Sequence, residues 1–102
     1  MTIPALLQSA LIDAAPPPGL SPEGKTLWHI KANRWEDAHQ IAQNISTRTG
    51  SWLHALLHLI EGDSSNAAYW FARANRPPVL PAEIDAEWDR LARGHPCSRM
   101  KR

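Results

Sequence analysis

Cysteine is nearly missing from this chain: Cys97 stands alone among 102 residues. One thiol excludes an internal disulfide and any cysteine-rich zinc site. It lies in a polar tail, where it reads as incidental. Clusters of β-branched residues are missing too, and the isoleucines fall at helical spacing, which excludes a sheet and leaves an all-α domain. No stretch reaches about 18 uncharged apolar residues, so no membrane-spanning helix is expected. An excess of one charge is also lacking. Eleven Lys and Arg stand against 10 Asp and Glu, a formal net charge of +1, so nucleic acid is not an expected partner. The opening MTIPALLQSALIDAAPPPG has no basic segment, and Asp13 interrupts its apolar run, so a secretory leader is not expected and a cytoplasmic location is the simplest reading. There is no Gly-rich phosphate loop and no meaningful Ser–His–Asp order.

What is present is helical punctuation. Thr2 can cap a first helix over Ile3 to Ala14, with Leu6, Leu7, Ala10 and Leu11 as its apolar stripe. The run Ala15-Pro16-Pro17-Pro18-Gly19 breaks it with a stiff connector. Sequence leaves open whether this helix docks or stays a mobile arm. Ser21-Pro22 starts a second helix that runs to about Ala32, and Asn33 suits a left-handed stop. A third helix, about Arg34 to Asn44, would bury Trp35, Ala38, Ala42 and Ile45. Thr47 to Gly50 reads as a loop, with Ser51 as the cap of a fourth helix that ends at Gly62. Asp63 caps a fifth helix, Ser64 to Asn75, with Ala67, Trp70, Phe71 and Ala74 on its inner face and Pro77-Pro78 as its stop. Pro81 opens a sixth helix carrying Ile84, Trp88 and Leu91, and Gly94 closes it. Three parts follow: an N-terminal helix with its connector (1–20), a helical-hairpin domain (21–94) and a flexible tail (95–102).

A shift of 29 residues aligns two hairpins. It places Leu27 on Leu56, His29 on His58, Ile30 on Leu59, Asn33 on Gly62, Ala38 on Ala67, Ala42 on Phe71 and Ile45 on Ala74. The second copy, with Ala55, Gly62, Ala67, Phe71 and Ala74, resembles the tetratricopeptide family of helix-turn-helix repeats. It departs from that family at His58, where a Tyr is usual, and at Ser64, where an aromatic is usual. Pro77 comes early, and the period is shorter than that family's roughly 34. The resemblance implies stacked antiparallel hairpins and a small interaction module that receives a protein or peptide partner, or a second copy as a homodimer. The string HALLHLIEGDSSNAAYW also resembles the hallmark of a family of small, largely uncharacterised helical proteins, and that likeness implies no activity.

Chemistry has one candidate place. At about 100° per residue, His54, His58 and Glu61 fall within an arc of roughly 60° on the fourth helix. Leu53, Leu56, Leu57 and Ile60 take another face. Two histidines at i and i+4 can ligate one metal, a carboxylate can add a third ligand, and His39 can approach across the hairpin. Zinc or another divalent ion is therefore the alternative to a chain without a cofactor. The HExxH pattern is absent, since Ala55 follows His54, and binding is favoured over catalysis. His58 with Glu61 is equally an ordinary polar pair.

Five tryptophans recur about once per helix from the second onward, and large amphipathic rings at that spacing read mainly as core. Trp28 and Trp52, with Tyr69, are the candidates for an interaction surface. Arg73 and Arg76 suit the C-terminal dipole of the fifth helix. Glu83, Asp85, Glu87 and Asp89 read as a solvated acidic face, set against the basic Arg93, Arg99, Lys101 and Arg102.

Overall fold

A computed structural model describes residues 2–94. Among them there are six α-helices and no strand: α1 (Ile3–Ile12), α2 (Pro22–Lys31), α3 (Trp35–Ala42), α4 (Arg48–Ile60), α5 (Ser64–Arg73) and α6 (Ile84–Gly94), the last preceded by a 3-10 turn at Pro81–Glu83. The expected tail at 95–102 lies outside the described residues.

Helix starts follow side-chain chemistry. Thr2, Ser21, Thr47 and Asp63 each accept a backbone N–H from the first turn of the helix that follows. Thr47 corrects the expected loop and Ser51 cap, because α4 begins at Arg48 and Gly50 lies inside it. Gly50 looks like a loop residue, yet a Cβ there would overlap the Ile45 carbonyl of the preceding turn. Glycine is required at this point for close approach, not for a reversal of φ.

Helix stops repeat. Asn33 and Gly62 both hold left-handed backbone, at φ 63° and 86°. Arg34 N–H reaches back to the His29 carbonyl and Asp63 N–H to the His58 carbonyl, each at 2.9 Å and 29 residues apart. These are the closing bonds of a Schellman turn. Asn75, at φ 60°, closes α5 in the same way, with Arg76 N–H on the Phe71 carbonyl. So α5 stops at Arg73, through a left-handed asparagine, before the prolines are reached. Helix α3 is also shorter than expected, and Ile45 lies in the connector beyond it.

α4 is the central element: residues 53 to 59 are all buried. A helix that is apolar on nearly every side belongs inside. The main core gathers Leu6, Leu27, Trp28, Ala38, Leu53, Leu56, Leu57, Trp88 and Leu91 from five helices. A smaller cluster of Ala55, Leu59, Ala67 and Phe71 seats α5 on α4.

Tryptophan N–H groups tie the helices together. Trp28 of α2 donates to Ser9 Oγ on α1 at 3.0 Å, and Ser9 passes its own proton to Asp13 at 2.6 Å. This docks α1. The docking face is Leu6, Ser9 and Ala10, and Leu11, placed on the stripe by sequence, is 80% exposed. Trp35 of α3 donates to the Leu57 carbonyl on α4 at 2.7 Å. Trp88 of α6 donates to the Leu27 carbonyl on α2 at 3.0 Å. Trp52 of α4 donates to Glu87 Oε2 on α6 at 2.7 Å.

Glu87 corrects the solvated reading of α6, for its side chain is fully buried. Arg90 pairs with it at one oxygen, and Arg76 lies 3.6 Å from the other while covering the Trp52 ring at 4.0 Å. A buried carboxylate needs this many partners, because desolvation of a lone charge costs several kcal/mol. The hydrophobic face of α6 is wide enough to carry Glu87 inward beside Trp88 and Leu91.

Substitutions at two positions test this packing. Gly50→Ala is expected to lower stability by about 1–3 kcal/mol in urea unfolding, the opposite of the usual helix-interior gain. Glu87→Ala is expected to cost about 1–3 kcal/mol, chiefly by leaving the Trp52 N–H without its acceptor, and Glu87→Gln less, since its amide oxygen still accepts. Unfolding curves that match the parent would place these residues outside the packed interior.

Candidate functional site

An aromatic side chain ties α3 to α4 at its start. Trp35 opens α3, and its bond to the Leu57 carbonyl pulls the two helices together. One turn later His39 stacks on the Trp35 ring, at 4.7 Å between centroids and 10° between planes. That carries His39 to α4, where its Nε2 lies 3.0 Å from Nε2 of His54. His58, one turn further along α4, stacks beside His54 at 4.9 Å. Spacing of four puts the two rings side by side. One ring nitrogen from each of His39, His54 and His58 falls within 4.8 Å of the others.

α5 supplies the opposite wall. Trp70 stacks on His54 at 4.0 Å and 13°. The Arg73 guanidinium lies 5.3 Å from the Trp70 ring, and Arg73 also reaches the Tyr69 hydroxyl at 3.4 Å. The three imidazoles are thus held between Trp35 and Trp70, with His54 and His58 buried and His39 half-buried.

Glu61 does not share the triad's center. Its Oε2 lies 2.7 Å from Nδ1 of His58, at the rim. Asp63 is close enough to form a second cluster with His58 and Glu61, but Asp63 Oδ1 is engaged in capping α5. The structure brings His39, His54 and His58 together, with Glu61 bonded to His58 beside them; helical spacing alone groups only His54, His58 and Glu61. The sequence does not show the two tryptophan walls. Their signal is hairpin arithmetic: His54 lies eight residues before Gly62 and Trp70 eight after it, so they oppose across the turn.

The interaction-surface candidates divide. Trp28 is fully buried, with its N–H committed to Ser9, so it is withdrawn from that role. Trp52 is half-buried, bonded to Glu87 and covered by Arg76. Tyr69 is 55% exposed and offers its ring to solvent beside Trp70. His29, which aligns with His58 in the repeat, is buried edge-on against Trp28 and does not join the cluster.

Chemically, the cluster presents three converging ring nitrogens. Burial, with the neighbouring His39 and then His58, lowers the pKa of His54 to about 4. A neutral imidazole carries one N–H and one lone pair, so the His39–His54 contact needs one ring to donate and the other to accept. Burial also lowers His29, opposed by Asp37.

No protein-family model matches the chain, and no curated protein or solved structure matches it either.

The His54 shift has a measurable sign. The unfolded chain takes up a proton near the ordinary histidine value of about 6.5, and the folded chain only near 4. Stability of the metal-free protein should therefore be full above pH 7 and fall as pH drops from about 6.5 toward 4. A His54→Leu variant should show a flatter melting-temperature profile over that window. Parallel profiles would mean that His54 titrates as an exposed histidine does.

Proposed function

We propose that this protein binds a divalent transition metal of the zinc class through His39, His54 and His58. One observation carries the reading: three imidazole nitrogens from two helices converge within 4.8 Å of one another. A tetrahedral ion with metal–nitrogen bonds of about 2.0–2.1 Å needs its donors roughly 3.4 Å apart. The His39–His54 pair, at 3.0 Å, is already near that spacing. Imidazoles in an aromatic-walled pocket offer the nitrogen donors that zinc takes, and three protein ligands leave a fourth position for water or a partner's donor. Imidazole suits zinc, copper and nickel alike, so the ion's identity is a matter for measurement.

A second reading keeps the interaction module suggested by the tetratricopeptide resemblance, with a protein or peptide partner or a second copy. It is favoured by Tyr69, which stays exposed next to the cluster, and by Leu11 and Ile12, which are exposed on α1. A cytoplasmic location goes with either reading.

Elemental analysis of protein prepared without a polyhistidine tag is the direct test. Zinc near one equivalent is expected, with a rise in melting temperature on zinc addition, and His39→Ala, His54→Ala and His58→Ala should each abolish both. Cobalt(II) should give the visible absorption of a tetrahedral site. Absence of bound metal and an unchanged melting temperature at excess zinc would sink the metal reading. Sizing and crosslinking of the metal-free chain would then decide the second one.

A further inference from the structure

We infer that Glu61 is the positioning residue of this site, holding His58 in the tautomer that turns its Nε2 lone pair to a metal. The inference rests on the three-histidine reading and goes beyond it. The carboxylate of Glu61 lies 2.7 Å from His58 Nδ1. An ionised carboxylate only accepts, so Nδ1 must carry a proton and donate it to the bond, and a ring that coordinates does so through Nε2. The lone pair is then on Nε2, the nitrogen left for coordination. His58 itself is buried while Glu61 is half-exposed, so the carboxylate sits at the rim.

Local structure supports this assignment over a role as direct ligand. Glu61 is the C-cap of α4, and its backbone N–H is already bonded to the Leu57 and Leu59 carbonyls. A carboxylate at a helix C-terminus opposes the macrodipole, so helix stability alone does not account for its choice there. The turn that follows, through Gly62 at φ 86°, carries the chain away to Asp63, which serves as the α5 cap. A set of His58, Glu61 and Asp63 would need Nδ1 of His58 stripped of its proton, whereas in the His39, His54 and His58 set that proton stays on Nδ1 against Glu61 and only the His39–His54 hydrogen bond is given up. Outer carboxylates of this kind fix ring orientation and raise ligand basicity, and their loss weakens metal binding by about 10–100-fold.

The test uses full-length protein as the parent, Glu61→Gln and Glu61→Ala. Zinc affinity is read by chelator competition, coordination by the cobalt(II) spectrum at saturation, and the His58 tautomer by nitrogen-15 NMR of the metal-free chain. For Glu61→Ala the expected result is affinity lower by about 10–100-fold with cobalt bands of parental shape. Glu61→Gln should lose less, because its amide oxygen still accepts from Nδ1. The parent should show His58 protonated at Nδ1. Cobalt bands altered alike in both variants would make Glu61 a ligand and overturn the assignment. So would parental zinc affinity in Glu61→Ala, or a parent with His58 protonated at Nε2. A parent that binds neither zinc nor cobalt removes the three-histidine reading and this inference together. Melting of the metal-free variants close to the parent excludes simple misfolding.

Discussion

The indole N–H bond from one helix to the next is the constraint on which the rest of this structure depends. Four tryptophans reach across helix boundaries: Trp28 to α1, Trp35 to α4, Trp52 to α6 and Trp88 to α2. Each ring buries a large apolar area and must also satisfy one polar group. That pairing fixes the depth and rotation of a helix more narrowly than apolar packing does, since an unpaired buried donor costs about 1–3 kcal/mol. The acceptors are two backbone carbonyls, one serine and one buried carboxylate. Glu87 therefore belongs to the interior as a hydrogen-bond partner, with Arg76 and Arg90 balancing its charge.

The histidine cluster follows from the same device. Trp35 sets α3 against α4 with its N–H and then offers its face to His39. Trp70 presses on His54 from the other side. Imidazoles that would be mobile on a surface are fixed by stacking within an aromatic wall. Burial and mutual proximity also keep His54 uncharged. One ring nitrogen from each of the three histidines thus falls within 4.8 Å of the others. At the rim, Glu61 Oε2 lies 2.7 Å from Nδ1 of the third ring.

Much of this was legible before any coordinates. Thr2, Ser21 and Asp63 mark their helix starts through side-chain acceptors, and Asn33 and Gly62 mark two stops through left-handed backbone. Thr47 and Gly50 were misread, because threonine and glycine look like loop residues until Gly50 is seen against the Ile45 carbonyl. Leu11 was misplaced because α1 needs only a narrow face, and Ser9 takes the position beside Trp28. His54, His58 and Glu61 were grouped by the 100° advance of a helix, a local rule. The 3.0 Å approach of His39 was foreseen only as a possibility across the hairpin.

The amino-acid sequence by itself determined the all-α class, the order of the helices, their caps and the repeated turns, because these depend on interactions within a few residues. Tertiary structure alone decided that α1 docks, that Trp28 is core, that Glu87 is buried, and that His39 completes a cluster with His54 and His58. Those outcomes join residues 15 to 35 positions apart in the chain. No local propensity encodes which side chain will meet which across such a distance. The meeting is set by how helices bury their apolar faces while giving the buried indole N–H groups their acceptors.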